Sequence, residues 1–311
     1  MLVIFALRMS FKQLVFYPGF ATLLLTASIS VEAAEVSQPF RDLTLNANLE
    51  MADGRDFKDA IVLIVHGYSG HNKMEIIRSA QQALLDNGQS SLAINLSMGI
   101  DNRHGFFDCT WPHRYLQEDT LDEISAWVDW LRDQGVSRIT LLAHSRGANQ
   151  AMVYAVDNKD SEVTQLVLLA PGTFDDTRQA FEERYGPSFD PQMARAEKLI
   201  AAGRGVELME NTDIMICPQT SVSANTFNSF YGRTSRFRNF KSYLPRIPMP
   251  TLVITGTQDE RSPDTAQDAA AYVDDGRLQL IVIEGAGHFF RDFNIDEAME
   301  VVIEFIDDTR Q

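Results

Sequence analysis

Short apolar runs alternate with longer amphipathic stretches along most of this chain. The short runs are rich in Val, Ile and Leu at consecutive positions, which is typical of strands covered by helices on both faces. They lie at residues 60–67, 91–97, 139–145, 165–172, 250–256 and 278–285. Strands that alternate with helices predict a mostly parallel, doubly wound α/β sheet. Apolar and polar residues alternate over residues 41–54, which predicts one or two antiparallel strands at its edge.

The stretches between these runs carry helical signals. Apolar residues recur at helical spacing over residues 74–85, and Gly88 ends that pattern. Another apolar stripe runs to Gly135, and Thr120 with Glu123 at its start has the spacing of a capping box. A last helix is predicted around residues 298–305.

The interval between the fourth and fifth apolar runs is unusually long. Residues 173–246 lie between two predicted strands, and a simple helical connection between parallel strands is much shorter. The interval begins acidic and helical, and it ends basic and aromatic. We interpret it as a helical cap inserted between two parts of a core, residues 34–172 and 247–311. The alternative is a helical excursion with no role as a lid.

The N-terminal residues have the order of a secretory signal peptide. Arg8 and Lys12 precede an apolar stretch, and small residues follow it up to Ala33. We predict that residues 1–33 are cleaved and that the protein is exported, to the periplasm or outside the cell. A retained membrane anchor is the alternative, which Pro18 and Gly19 within the apolar stretch disfavour.

Charge and cysteine content limit the partners and cofactors. Removing residues 1–33 leaves 278 residues with 25 basic and 42 acidic side chains, a net charge of −17. So acidic a surface argues against non-specific nucleic-acid binding. Cys109 and Cys217 can pair in an oxidising compartment or remain two separate thiols, and their spacing leaves both open. Neither belongs to a metal-binding pattern, so we predict no metal.

A serine stands at the end of one of the strand runs. Ser145 follows residues 139–144 and precedes a helical pattern, with Ala143 and Gly147 as small neighbours two positions away on either side. So sharp a turn requires close backbone approach, which small residues allow. The segment resembles the nucleophile elbow of the α/β-hydrolases, written GxSxG, with alanine in place of the first glycine. The resemblance extends over residues 41–308.

The resemblance implies a catalytic triad in the chain order serine, acid, histidine. Asp259 follows the run 250–256, and His288 follows the run 278–285, where this family carries its acid and histidine. Other interpretations are a turn-capping carboxylate for Asp259 and a core histidine for His288. Glu260 is the competing carboxylate, but Asp259 has the family's spacing from Gly256.

The family also implies two backbone donors for the oxyanion. One is the N–H of Arg146, directly after the serine, and the other is the N–H of Tyr68, which follows His66 and Gly67 at the end of the first run. This chemistry needs no metal and no organic cofactor.

The remaining histidines and the basic end of the cap are secondary candidates. We expect His144 to point away from the serine, and His104 and His113 to lie in a solvated loop; His71 has no partner that the sequence indicates. Several cations without an intervening acid can receive an anionic substrate group, or they can pair with the acids of residues 175–183. These cations are Arg233, Arg236, Arg238, Lys241 and Arg246.

Together these patterns predict an exported serine hydrolase acting on a small-molecule ester, with a carboxylesterase as the first choice. An aminopeptidase-like peptidase, for which Glu182, Glu183 and Asp190 would supply an acidic amine site, is one alternative. A thioesterase on the same triad is another. The alternative from a different class is a non-catalytic binding protein. The sequence indicates no oligomeric state.

Overall fold

A computed structural model describes residues 34–159, 161–172, 177–238, 240–274 and 276–308. The predicted signal peptide lies outside these ranges. The strands are β1 (Ala34–Phe40), β2 (Leu43–Glu50), β3 (Ile61–Val65), β4 (Ser90–Asn95), β5 (Ile139–His144), β6 (Val163–Leu169), β7 (Leu208–Ile214), β8 (Cys217–Ser223), β9 (Thr251–Gly256) and β10 (Leu278–Ile283). The α-helices are α1 (Glu75–Asp86), α2 (Asp119–Gln134), α3 (Arg146–Asp157), α4 (Thr177–Tyr185), α5 (Phe189–Ala201), α6 (Ala224–Tyr231), α7 (Phe240–Tyr243), α8 (Thr265–Ala270) and α9 (Phe293–Asp308).

The main sheet has eight strands in the order β1-β2-β4-β3-β5-β6-β9-β10. β1 pairs with β2, and β2 with β4, in antiparallel fashion, whereas the pairs from β4 to β10 are parallel. Each of the six apolar runs overlaps one of the parallel strands. The mostly parallel α/β architecture predicted from the sequence is therefore confirmed.

Central strands are buried along their whole length because helices cover both faces of the sheet. Every residue of β3 and β5 is buried. Apolar side chains of α1 and α9 pack on one face, and those of α2 and α3 pack on the other. This double covering explains why the runs are apolar at consecutive positions.

The start of α2 differs from the prediction. The helix ends at Gly135, as expected, where the backbone takes a left-handed φ of 107°. The predicted capping box is wrong, because the residue before the helix is Glu118 and Glu123 turns into the molecule. The Glu123 carboxylate is buried and accepts hydrogen bonds from the Ser97 N–H (2.8 Å) and the Ser97 hydroxyl (2.5 Å). A tertiary contact has replaced the local one.

The interval between β6 and β9 divides into two parts. Residues 177–231, which we call the roof, contain α4, α5, the antiparallel hairpin β7–β8 and α6. The sequence analysis did not anticipate this hairpin. By contrast, Phe237, Phe240 and Leu244 pack into the main core beside α3. The domain boundaries drawn from the sequence remain a prediction, but this packing places the basic end of the interval with the core.

The roof is attached to the loop that follows β4 by a covalent bond and by backbone hydrogen bonds. Cys109 of that loop forms a disulfide with Cys217 of β8. The His113 N–H donates to the Ser221 carbonyl (2.8 Å), and the Ser223 N–H donates to the His113 carbonyl (2.9 Å). Of the two alternatives for the cysteines, the structure contains the pair. In the ranges described above, no helix is both long and apolar enough to cross a membrane.

Candidate active site

Ser145 occupies a strained turn between β5 and α3. Its backbone has φ 55° and ψ −128°, a conformation that a residue with a side chain rarely adopts. The turn is held by the Ser145 N–H, which donates to the Leu169 carbonyl (2.8 Å), and by the Ser145 carbonyl, which accepts from the Ala148 N–H (2.9 Å). The hydroxyl is thereby fixed at the end of the central strand.

The residues around Ser145 must be small because the segment at His66 and Gly67 passes close to this turn. A Cβ added at Gly147 would overlap the carbonyl oxygen of His66, and one added at Gly67 would lie 3.0 Å from the Ser145 Cβ. Ala143 is fully buried in the core, where its methyl group is accommodated. The alanine that departs from the GxSxG pattern therefore fits this turn.

The three side chains named from the sequence meet at the carboxyl ends of three strands. His288 Nε2 lies 2.8 Å from the Ser145 hydroxyl. His288 Nδ1 lies 3.0 and 2.9 Å from the two carboxylate oxygens of Asp259. In this arrangement the imidazole can accept the serine proton while the carboxylate fixes its tautomer.

His288 and two backbone donors hold Asp259 in its ionised form. One carboxylate oxygen accepts the N–H groups of Arg261 and Ser262, both at 2.9 Å. Burial alone would raise the pKa of this carboxyl, but the hydrogen bond and attraction to His288 and these two N–H groups together lower it. The competing residue Glu260 is different: its side chain is 68% exposed, and it pairs with Arg261 at 3.6 Å. The geometry favours Asp259 as the partner of the histidine.

His144 lies behind the site and supports the backbone of His288. Its Nε2 donates to the His288 carbonyl at 2.9 Å, and the two rings are 5.1 Å apart. Burial, followed by the repulsion of His288, lowers the pKa of His144 to about 3, so its ring is neutral. Its side chain turns away from the serine, toward the histidine loop.

Hydrogen bonds of His66 stabilise the loop that carries Tyr68, the proposed oxyanion donor. His66 Nδ1 donates to the Gly67 carbonyl (2.7 Å), and Nε2 accepts the Leu96 N–H (3.1 Å). The buried Arg103 braces the same loop by donating to the Gly70 carbonyl (2.9 Å). The tight approach of Gly67 to Ser145 sets this loop beside the nucleophile, but the oxyanion assignment stays a prediction.

A pocket partly open to solvent is lined by Gly67, which approaches Ser145 closely, and by Arg146, which follows it. Arg146, directly after the serine, sends its side chain there, and its guanidinium lies 5.4 Å from the centre of the Phe230 ring of the roof. Gln117 accepts a hydrogen bond from that guanidinium at 2.5 Å. The pocket lining includes Tyr68, Met98, Tyr115, Glu123, Arg146 and Phe230.

The sequence did not indicate the role of the loop after β4. Its residue Tyr115 lines the pocket, while Gln117 binds Arg146 and Arg103 braces the loop of Tyr68. None of the three belongs to a motif, and the available signal was the dense aromatic spacing of residues 106–115. The expectation that His113 lies in a solvated loop is wrong, because His113 is fully buried beneath the roof. His104 is exposed beside Glu35, with Nε2 3.1 Å from its carboxylate.

Two of the basic side chains at the end of the predicted cap pair with acids outside residues 175–183. Arg236 pairs with Asp157 (2.5 Å) and Lys241 pairs with Asp268 (3.2 Å), both acids of the core. The segment that carries these two side chains packs on the core. Within the part of the chain that the structure describes, no cluster of three or more His, Cys, Asp or Glu side chains could hold a metal ion.

Comparison with known proteins agrees with this architecture. Residues 61–305 match the sequence profile of the Alpha/beta hydrolase family. A structure of Est1E from Butyrivibrio proteoclasticus with bound ferulic acid superposes with a TM-score of 0.66 at 21% identity, covering 88% of this chain and 98% of that chain. An esterase from Pyrococcus furiosus gives 0.57 at 19% identity, covering 89% and 90% of the two chains. A monoacylglycerol lipase from Paleococcus ferrophilus gives 0.58 at 16%, covering 84% and 97%. A search of curated proteins found no match.

Proposed function

Because this chain belongs to the α/β-hydrolase family, we propose that it is a serine esterase that cleaves carboxylic esters of small molecules. The observation that carries the proposal is the continuous contact from the Asp259 carboxylate through His288 to the hydroxyl of Ser145. Two of the similar folds belong to an esterase and a lipase, which supports an ester as the substrate.

In the proposed cycle, the Ser145 oxygen attacks the ester carbonyl while His288 Nε2 takes the serine proton. The tetrahedral oxyanion accepts hydrogen bonds from the N–H groups of Tyr68 and Arg146. His288 then gives its proton to the departing alkoxide, which leaves as an alcohol, and an acyl-serine remains. Water, deprotonated by His288, cleaves the acyl-serine and releases the carboxylic acid. Asp259 holds the imidazole and stays ionised throughout.

An aminopeptidase-like activity receives less support. The acids that would form the amine site are engaged elsewhere: Arg178 binds both Glu182 (3.1 Å) and Asp190 (2.6 Å), and Gln179 binds Glu183 (2.8 Å). A thioesterase would use the same residues as the esterase, so the choice between them depends on the leaving group.

Export is the second part of the proposal. The signal-peptide pattern of residues 1–33 supports it, as does the Cys109–Cys217 disulfide, since disulfides persist in oxidising compartments. Expression of the full gene product followed by intact mass of the periplasmic and secreted fractions tests it. We expect a mature chain that begins near residue 34, and an uncleaved chain in the cytoplasm would contradict export.

Fluorophosphonate labelling of the mature protein, read by intact mass, tests the catalytic proposal. We expect one adduct on the unaltered protein, none on Ser145→Ala and much slower labelling of His288→Ala. A panel of matched esters, thioesters and aminoacyl amides then identifies the leaving group. A folded protein that neither labels nor hydrolyses any member of the panel would contradict the proposal and favour a binding protein.

A further inference from the structure

Three polar side chains form a hydrogen-bonded chain that leads from beneath the roof into the pocket. The Tyr115 hydroxyl donates to the Tyr68 hydroxyl oxygen at 3.2 Å. The same Tyr115 hydroxyl lies 3.4 Å from His113 Nδ1. Tyr68 and Tyr115 also line the pocket, and both rings pack edge-on against Phe230.

Counting protons links the two contacts of Tyr115. A hydroxyl has one proton, so Tyr115 can donate to Tyr68 only when it accepts from a proton on His113 Nδ1. Burial lowers the pKa of His113 to about 4, so at neutral pH the ring carries a single proton. His113 Nε2 is then a bare acceptor.

The surroundings of His113 support this tautomer. Its Nε2 is buried and has no hydrogen-bond partner within the described ranges. A buried N–H without a partner is rarer in proteins than an unsatisfied acceptor, so the proton belongs on Nδ1, where Tyr115 accepts it. His113, Tyr115 and Tyr68 are therefore arranged to donate in one direction.

The last hydroxyl in the chain must direct its own proton elsewhere. The Tyr68 oxygen accepts from Tyr115, and among the described residues no side chain or backbone group accepts the Tyr68 proton. Tyr68 is only partly buried, and it lines the same pocket as Gly67 and Arg146, the two residues that flank Ser145. Burial raises the pKa of Tyr68 well above its ordinary value, so this hydroxyl remains a donor at all working pH values.

We propose that the Tyr68 hydroxyl donates a hydrogen bond to an acceptor oxygen on the substrate, away from the ester that is cleaved. The substrates preferred by this site are then esters whose pocket-bound part carries an ether, hydroxyl or carboxylate oxygen. The guanidinium of Arg146, which lines the same pocket, adds positive potential that favours such an oxygen. This proposal rests on the proposed esterase function and assigns a substrate class to it.

Matched ester pairs that differ by one atom test the assignment. One series consists of 4-nitrophenyl esters in which a CH₂ of the acyl chain is replaced by an ether oxygen, one position at a time. A second series makes the same replacement in the alcohol part of butyrate esters. We expect one position at which the oxygen-bearing ester exceeds its alkyl counterpart in kcat/KM by about five- to tenfold, the effect of one neutral hydrogen bond.

The variant Tyr68→Phe keeps the ring and removes the donor. We expect it to bring the preference ratio at that position to about one, with the change mainly in KM. Tyr185→Phe is the matched control, because the Tyr185 hydroxyl donates to the Met215 carbonyl (2.9 Å) within the roof; it should keep the ratio of the unaltered protein. Thermal melting of each variant verifies that it is folded.

Two results would overturn the assignment. One is an active enzyme with no oxygen preference in either series; the other is a Tyr68→Phe variant that loses activity equally on both members of each pair. Equal losses would mean that the hydroxyl acts on the reaction common to all esters or on the fold. Failure of the esterase proposal itself is distinguishable, because then no ester of either series would be cleaved.

Discussion

The catalytic edge, formed by Ser145, Asp259 and His288, and the roof, residues 177–231, are held in place by different kinds of interaction. Backbone groups fix the edge: the Leu169 carbonyl binds the Ser145 N–H, and two N–H groups bind the Asp259 carboxylate. The roof shares two backbone hydrogen bonds with the loop after β4, but its packing comes from side chains, with a cluster of aromatic rings around Phe227 and a disulfide to that loop.

Because of this difference, substitutions in the two regions should affect different properties of the protein. Where backbone groups hold a side chain, replacing that side chain by an isostere changes its chemistry and leaves the fold in place. Where side chains themselves make the contacts, the same kind of replacement removes packing or a cross-link. We therefore expect substitutions at the edge to act on turnover, and substitutions at the roof to act on unfolding and on access to the pocket.

The largest effect is expected for Asp259→Asn, which keeps the shape of the side chain but removes the charge that orients His288. We expect kcat to fall by roughly 10³- to 10⁴-fold, with little change in melting temperature. Glu260→Gln is the matched control, because this exposed neighbour is the competing carboxylate and should keep near-normal turnover. Steady-state rates with a 4-nitrophenyl ester measure both, and a larger loss in Glu260→Gln would reverse the assignment.

The next effect concerns the roof. Replacing Cys109 and Cys217 together by serine removes the cross-link over 108 residues of sequence, so we expect the free energy of unfolding to fall by about 2–4 kcal/mol. Urea unfolding measures this loss, and limited proteolysis should cut residues 177–231 earlier. The single variants and the reduced protein serve as controls, because each breaks the same bond.

Fluorophosphonate labelling of the double variant sharpens the comparison. If the edge is independent of the roof, Ser145 should still label in the folded double variant. Loss of labelling together with native melting behaviour would show that the roof positions the catalytic groups, contrary to the distinction drawn here.

The catalytic edge could be predicted from the sequence, whereas the roof could not. The six parallel strands were predicted because burial on both faces leaves a local pattern, and the positions after their ends indicated Ser145, Asp259 and His288. The hairpin of the roof left no such pattern, because it is stabilised by partners distant in sequence, such as Cys109 and His113. The prediction for Glu123 was wrong for the same reason. Its spacing from Thr120 indicated a capping box, but its carboxylate instead binds Ser97, 26 residues away.

Acid should destabilise the fold around both regions, because neutral histidines are buried beside the catalytic edge and beneath the roof. Burial lowers the pKa of His66 and His144 to about 3 and that of His113 to about 4, below the ordinary 6.5. The unfolded chain therefore binds more protons than the folded one between these values, and stability is lost as the pH falls below 6.5. Burial raises the pKa of Glu123 to about 7, so its contribution is present below 4.5 and lost as the pH rises through 7.

The three histidines outweigh Glu123, so the net direction is a loss of stability in acid. From pH 7 to 5.5 we expect the free energy of unfolding to fall by on the order of 2 kcal/mol. Urea titrations at the two pH values measure it. His104→Gln, which alters an exposed histidine, should show the same fall, and constant or greater stability at pH 5.5 would contradict the buried neutral rings.

The smallest effect is expected at the basic segment between the roof and β9. Arg236 and Asp157 form an ion pair whose side chains are 38% and 34% exposed, and pairs of this kind couple by less than about 1 kcal/mol. A double-mutant cycle of Arg236→Gln and Asp157→Asn, read by urea unfolding, should give a coupling in that range.

The same segment should take no part in substrate recognition. Because it packs on the core, Arg236→Gln should leave unchanged the kcat/KM ratio between a succinate monoester and a butyrate ester. A ratio that falls would bring this segment into substrate recognition, and the boundary between roof and core would then have to be drawn beyond residue 231.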